Sequence, residues 1–376
     1  MIARVAWRIL THEKGRSALA MAGIFVAVLL VFVELGFFIA VPQGGMLIYS
    51  RMRFDLLLAS SAYVYQAQSG AFPHVRLYQA SAVPEVSRAA PVYFGSASWL
   101  NAEAHRRLDI FLIGFDPHDR IFAVDDVEQQ SAMLEQPDTV LVDSATRATF
   151  GPLTAGRSVE IAGRAMTIGG TYALGTGFLG LGVALASDRN FFRLFPQRDS
   201  DSVNLGLVEL NPGTDPGQAA QRLRTLLPSD TQVFTRDELQ RREVSYWTTR
   251  TSTGLIFGSG LLVSFIVGTM VLYQTLSTQI TRQLPQFATL KAIGYTDRAL
   301  AGIVILLGLL LVVVAFIPAL GAALGLYAVI REQTLLPVDM TPLRLAAVLA
   351  ITLVMAAASA FLSLGGLRRA DPADVF

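Results

Sequence analysis

The chain of 376 residues is 52% hydrophobic and only 16% charged, against about 25% charge in a typical water-soluble domain, and its mean hydropathy of +0.48 excludes an ordinary soluble protein. A net charge of +1 argues against a nucleic-acid surface, which needs clustered basic excess. Without any cysteine, structural disulfides, thiolate metal sites and cysteine nucleophiles are excluded.

Residues 1–16 place Ile2, Val5, Ala6, Ile9 and Leu10 on one helical stripe and Arg4 and Arg8 on another, with Trp7 suited to the headgroup level. The pattern predicts an amphipathic helix lying in the cytoplasmic membrane interface. The stretch 17–41 is then almost wholly apolar for about 24 residues, longer than a signal-peptide core and enough to cross a bilayer. Glu34 interrupts this first span. A carboxylate is costly there, so it should face a protein interface or water, or reach the outer surface, which makes it a candidate intramembrane polar site.

From Pro42 to about Ser252 polar residues, prolines and short alternating runs replace the apolar block. Strands are predicted at Phe54–Ala59, Pro91–Leu100, Leu108–Phe115, Thr139–Val142, Val159–Ile161, Ala165–Gly169, Val183–Ser187 and Val203–Leu210, with a tight turn at Ala162-Gly163. Helices are predicted at Val75–Ala80, Val127–Glu135, Ser144–Phe150, Asp188–Phe195 and Pro216–Leu227. Strands mixed with helices indicate a layered α+β or α/β domain. Thr235 followed by Glu238 fits a capping box, opening a stalk helix expected to run unbroken into the second span.

That span, 253–276, carries Gly254 and Gly258 at the spacing that permits close helix contact. The third, 300–329, contains Pro318 and a second such pair, Gly321 and Gly325; a short loop, 330–342, leads to the fourth, 343–364, and a tail, 365–376. The expected architecture is a four-span α-helical membrane protein with a large α+β extracytoplasmic domain, 42–252, between spans one and two.

The segment 277–299 joins the second and third spans. Pro285 suits a first helical position, Leu284, Phe287, Leu290 and Ile293 form one apolar face, Gly294 supplies the left-handed residue that ends a helix, and Thr296 or Asp297 can cap the next. Arg4, Arg8, Lys14 and Arg16, then Arg282, Lys291 and Arg298, then Arg368 and Arg369 flank the span ends. They place both termini and this segment in the cytoplasm and the 42–252 domain outside.

No phosphate-binding loop is present, because Lys14 is followed by Gly15 and Lys291 by Ala292. Gly175–Gly182 lacks a lysine and reads as a flexible loop. His12, His74, His105 and His118 show no metal spacing, no G-x-S-x-G elbow occurs, and the acidic pairs Asp125-Asp126 and Asp199/Asp201 read as solvated loop residues. The chain is therefore expected to be non-catalytic.

Several segments carry a resemblance: LTHEKGR (10–16), LYQA (77–80), GFDP (114–117), TYALGTGF (171–178), LPQFATLKAIGY (284–295) and the terminal ADPADVF (370–376). Together with the span pattern they resemble the permease subunits of MacB/FtsX/LolC-type ABC transporters, and most closely the DevC-like branch. The resemblance implies a homodimer in the bacterial inner membrane that works by mechanotransmission with a separate DevA-like ATPase, which binds the ATP and Mg. It further implies an HlyD-like (DevB-like) membrane fusion protein, a TolC-like outer-membrane channel, and export of a lipid, glycolipid or other amphiphile. Carried onto this sequence, the ATPase contacts would be Leu284, Pro285, Gln286, Phe287, Ala288, Thr289, Leu290, Lys291, Ala292, Ile293, Gly294 and Tyr295, and an aspartate at Phe287 would break them. The family usually has an acid where this chain has Gln286. A second reading is an FtsX-like scaffold that relays ATPase strokes to a periplasmic hydrolase and moves no substrate.

Overall fold

The structure is a computed structural model, described here for residues 14–177, 179–334 and 338–367. The chain divides into a membrane unit, residues 1–41 and 251–376, and an aqueous unit, Pro42–Arg250. The interfacial helix expected over 1–16 and the tail 365–376 fall mostly outside the described residues.

Among the described residues four helices are long and apolar enough to cross a membrane: α1 (Lys14–Ser50), α8 (Ser252–Arg282), α10 (Asp297–Thr334) and α11 (Pro342–Leu367). In the membrane unit their shared core includes Val28, Phe32, Leu276, Leu307, Val312, Met355 and Ala356. Polar bonds cross between helices where no water competes: Ser359 of α11 donates to the Thr269 carbonyl of α8 at 2.7 Å, and Tyr327 of α10 donates to the Phe32 carbonyl of α1. Gly36 faces the Tyr327 ring so closely that a Cβ has no room there.

The aqueous unit is built on a nine-stranded sheet, β11-β1-β10-β3-β4-β8-β5-β7-β6. Its strands are β1 (Leu56–Ser60), β3 (Val86–Asn101), β4 (Arg106–Phe115), β5 (Thr139–Asp143), β6 (Ser158–Ile161), β7 (Arg164–Tyr172), β8 (Val183–Ser187), β10 (Leu205–Leu210) and β11 (Thr231–Thr235). A two-stranded sheet pairs β2 (Phe72–Pro73) with β9 (Ser202–Val203). Pairing is mostly antiparallel, with β4–β8 and β5–β7 parallel. Both faces of the sheet are covered: Leu56, Leu58, Val140 and Val142 enter one core, while Leu57, Ala59 and Leu141 enter the other. Burial on both faces explains why these strands read as continuous apolar runs and not as alternating ones.

Helices α2 (Val75–Ser81), α3 (Asp125–Gln129), α4 (Ser131–Leu134), α5 (Asp188–Leu194) and α6 (Pro216–Leu226) surround the sheet, and α7 (Arg236–Ser245) follows β11. Ala162 and Gly163 take φ of 52° and 75°, the paired left-handed conformation of a tight hairpin turn between β6 and β7.

Several expectations need correction. Helix α1 runs through Pro42 to Ser50 and does not end at 41. The Val127–Glu135 helix divides at Gln130, whose side chain donates to the Asp126 and Thr171 carbonyls. No α-helix forms over Ser144–Phe150; the Asp143 carboxylate captures the Ala145 N–H and leaves one 3₁₀ turn at Ala148–Phe150. The Val203–Leu210 strand is interrupted at Asn204, whose side chain accepts from the Phe94 N–H at 2.8 Å and donates to the Gly70 carbonyl at 2.7 Å. β3 starts five residues before Pro91 because Pro91 pairs only with β10, while β4 joins from Val92 onward. The missing N–H therefore costs no ladder bond. The glycine-rich 175–182 loop is tethered at both ends: the Gly175 N–H donates to Asp143 at 2.8 Å, and the Val183 N–H to the Thr146 hydroxyl at 3.3 Å.

The unbroken stalk is also absent. Thr235 and Glu238 form the reciprocal capping box of α7, but after a wide π-type turn, Tyr246–Arg250, the chain becomes extended at Thr251 (φ −102°, ψ 150°). The Thr251 side chain then caps α8 by accepting from the Gly254 N–H. A second capping residue, here Thr251, restarts a helix as readily as the first starts one.

Candidate functional site

The segment between the second and third spans forms α9, Leu284–Ala292, with Pro285 in its first turn. Its end is a Schellman motif: the Tyr295 N–H bonds the Leu290 carbonyl and the Gly294 N–H bonds the Lys291 carbonyl, both at 3.0 Å. Gly294 takes φ +103°. The Ala299 N–H donates to the Thr296 hydroxyl at 3.4 Å, so Thr296, the residue before Asp297, caps α10.

The two faces of α9 differ. Phe287 is 4% exposed and Ala288 fully buried; Phe287 belongs to the core of the membrane unit, and Leu290 and Tyr295 pack against it. Pro285, Gln286, Thr289 and Gly294 are exposed, and Ile293 is 72% exposed. The apolar stripe read from the sequence therefore splits. Phe287 anchors the helix to its own bundle and is not free for a partner, whereas Ile293 is; a turn of about 100° per residue separates their directions. Leu284 and Lys291 are half-buried, and Ala292 lies within α9.

The glycine pairs behave differently from each other. Gly254 is buried, and Gly258 faces the Phe38 ring, with 3.4 Å between it and a Cβ placed there. A Cβ placed at Gly321 or Gly325 would meet nothing within 4 Å, so this pair makes no close helix contact among the described residues. Two glycines outside the expected pairs are filled: Gly268 by the Met355 side chain and Gly260 by the Glu34 carboxylate. Glu34 thus packs from α1 onto the bare backbone of α8, with Oε2 shielded and lacking a hydrogen-bond partner among the described residues. Glu34 therefore lies between α1 and α8.

The aqueous unit contains a polar cluster that sequence reading missed. Arg236, at the start of α7, donates to the Phe54 carbonyl at 2.7 Å and the Met52 carbonyl at 2.6 Å, and its guanidinium lies 4.1 Å from the Phe54 ring centroid. It ties down the chain just after α1 and reaches the Tyr49 carbonyl in that helix's last turn at 3.5 Å, where carbonyls lack helical partners. Tyr49 of α1 and Tyr63 share a hydrogen bond of 2.7 Å, and Tyr63 donates to Glu243 of α7. Glu243 is fully buried; burial pushes its carboxyl up to about 7, against the lowering effect of the Tyr63 bond. The only signal in the sequence was a glutamate following two arginines, which reads as a solvated helix face.

Two families match this chain. Residues 17–226 match the MacB-like periplasmic core domain, and residues 258–372 match the FtsX-like permease C-terminal domain. A search of curated proteins finds no match. Among solved structures, the chain is similar to the periplasmic region of MacB from Actinobacillus actinomycetemcomitans, at 12% identity and a TM-score of 0.38, covering 52% of this chain and 94% of that one. It is also similar to the extracellular domain of the noncanonic ABC-type transporter YknZ from Gram-positive bacteria, at 14% identity and a TM-score of 0.34, covering 48% and 99%. With one family spanning more than half the sequence and the other covering the last three spans, the chain belongs to the MacB/FtsX/LolC-type permease superfamily and is an ABC transporter permease subunit.

Proposed function

We propose that the chain is the membrane lever of a DevC-like exporter: a homodimer that takes the stroke of a separate ATPase, where ATP and Mg are bound, and passes it to the far side of the bilayer. An HlyD-like adaptor and a TolC-like channel would complete the path for a lipid, glycolipid or other amphiphile. The observation that carries this reading is the division of α9. One side is buried at Phe287 and Ala288, with Phe287 in the core of the membrane unit, and the other presents Ile293 at 72% exposure beside Gln286 and Thr289. A short helix closed at its end by a Schellman motif transmits a push as a rigid body, and an exposed branched apolar residue suits an anchor for a partner's pocket.

Replacing Ile293 with Asp tests the reading. The variant is expected to insert and fold normally but to lose co-purifying ATPase about tenfold or more. Phe287→Asp is expected instead to lower the yield of folded chain, because it buries a charge in the core of the membrane unit. Full ATPase capture by Ile293→Asp would remove α9 from the coupling path. An adaptor and channel co-purifying with the wild type would separate export from relay to a hydrolase.

A further inference from the structure

The aqueous unit holds a cleft of about 170 Å³ lined by Tyr63, Val64, Arg242, Ser245, Tyr246 and Arg250. Its volume is below the range of about 300–1,000 Å³ that takes a whole drug-sized ligand, so it suits a headgroup and not an entire substrate. Its charge is unbalanced. Arg242 donates to the neutral Tyr63 carbonyl and, at 3.5 Å, to the Gln232 side chain. Arg250 is exposed and has no partner among the described residues. No carboxylate lines the cleft. Glu243, the nearest acid in sequence, is turned into the buried cluster with Tyr63 and opposes an anion only weakly while it holds its proton.

The surroundings are aromatic. Tyr65 stacks on Tyr246 with ring centroids 4.6 Å apart, and Trp247 meets both rings edge-on. The lining also ends two residues before Ser252, the first residue of a membrane span. Aromatic rings close to the start of a span mark the headgroup layer, and long basic side chains near span ends reach into it. A free phosphate would use the arginines alone and leave the exposed Val64 and the stacked rings without a role.

We infer that this cleft binds the phosphate headgroup of an anionic phospholipid in the leaflet beside the aqueous unit, with Arg250 and Arg242 holding the phosphate and Val64 and Tyr246 lying against the glycerol and first acyl carbons. The inference rests on α8 crossing the membrane and is independent of the exporter reading.

The test is native mass spectrometry of the full-length chain in detergent, titrated with phosphatidylglycerol or with phosphatidylcholine of the same acyl chains. Wild type is expected to retain phosphatidylglycerol in preference to phosphatidylcholine. Arg250→Gln is expected to bind phosphatidylglycerol about fivefold more weakly, with Arg250→Lys recovering part of the loss and both variants matching wild type in circular dichroism. Equal retention of phosphatidylglycerol by wild type and Arg250→Gln would overturn the site. Displacement of phosphatidylglycerol by equimolar inorganic phosphate would overturn the lipid assignment in favour of a free anion.

Discussion

Glu243 is a buried acid surrounded by aromatic groups, and its burial has a consequence that pH reveals. Its carboxyl sits near 7 in the folded chain against an ordinary value of 4.5, so the folded state holds a proton that the unfolded state has already released. Between about pH 4.5 and 7 the unfolded chain therefore binds fewer protons, and stability falls as pH rises. Below that window the group contributes no penalty, and above it the full cost, up to about 3 kcal/mol, is present. Glu243→Gln is expected to flatten this dependence: thermal unfolding of the full chain in detergent, followed at pH 5 and pH 8, should show the variant gaining on the wild type at pH 8. An equal pH slope in both would mean that the carboxyl is not the titrating group. Sequence inspection had no access to this burial, because the hydrogen bond from Tyr63 comes from 180 positions away and links the acid through Tyr63 to Tyr49.

At the scale of elements, the features read most securely from sequence are those made by neighbours along the chain. The capping box at Thr235 and Glu238 and the turn at Ala162-Gly163 form as their residue types require. The glycine terminator of α9 does so as well. Gly294 sits at φ +103°, where a side chain is strained, so Gly294→Ala is expected to cost about 1 kcal/mol and to loosen the link between α9 and α10. Faster amide hydrogen exchange at Gly294 and Tyr295, with the spans unchanged, would register it; unaltered exchange would show that packing of Tyr295 and Leu290 holds the motif without the glycine. The elements that were misread are those decided by side chains reaching across the fold. Asn204 breaks a strand by bonding Phe94 and Gly70, and Gln130 divides a helix through Thr171.

For the molecule as a whole, four apolar helices and one large sheet domain between the first two match the family architecture. Basic clusters at the span ends predict that protease added on the side of the aqueous unit cuts within 42–250 and spares 279–299. Cleavage in sealed vesicles of known orientation checks this, and the reverse pattern would invert the topology.

Composition and local pattern were enough for the spans, the position of the sheet domain and both ends of α9, because hydrophobic length, turn chemistry and capping act over a few residues. Periodicity also showed that α9 has an apolar stripe. Whether its own bundle or another protein covers each residue of that stripe depends on helices distant in sequence. Packing therefore turned Phe287 inward and left Ile293 exposed, set Glu34 against Gly260 while leaving open space beside Gly321 and Gly325, and buried Glu243 where a charge pattern alone reads as surface.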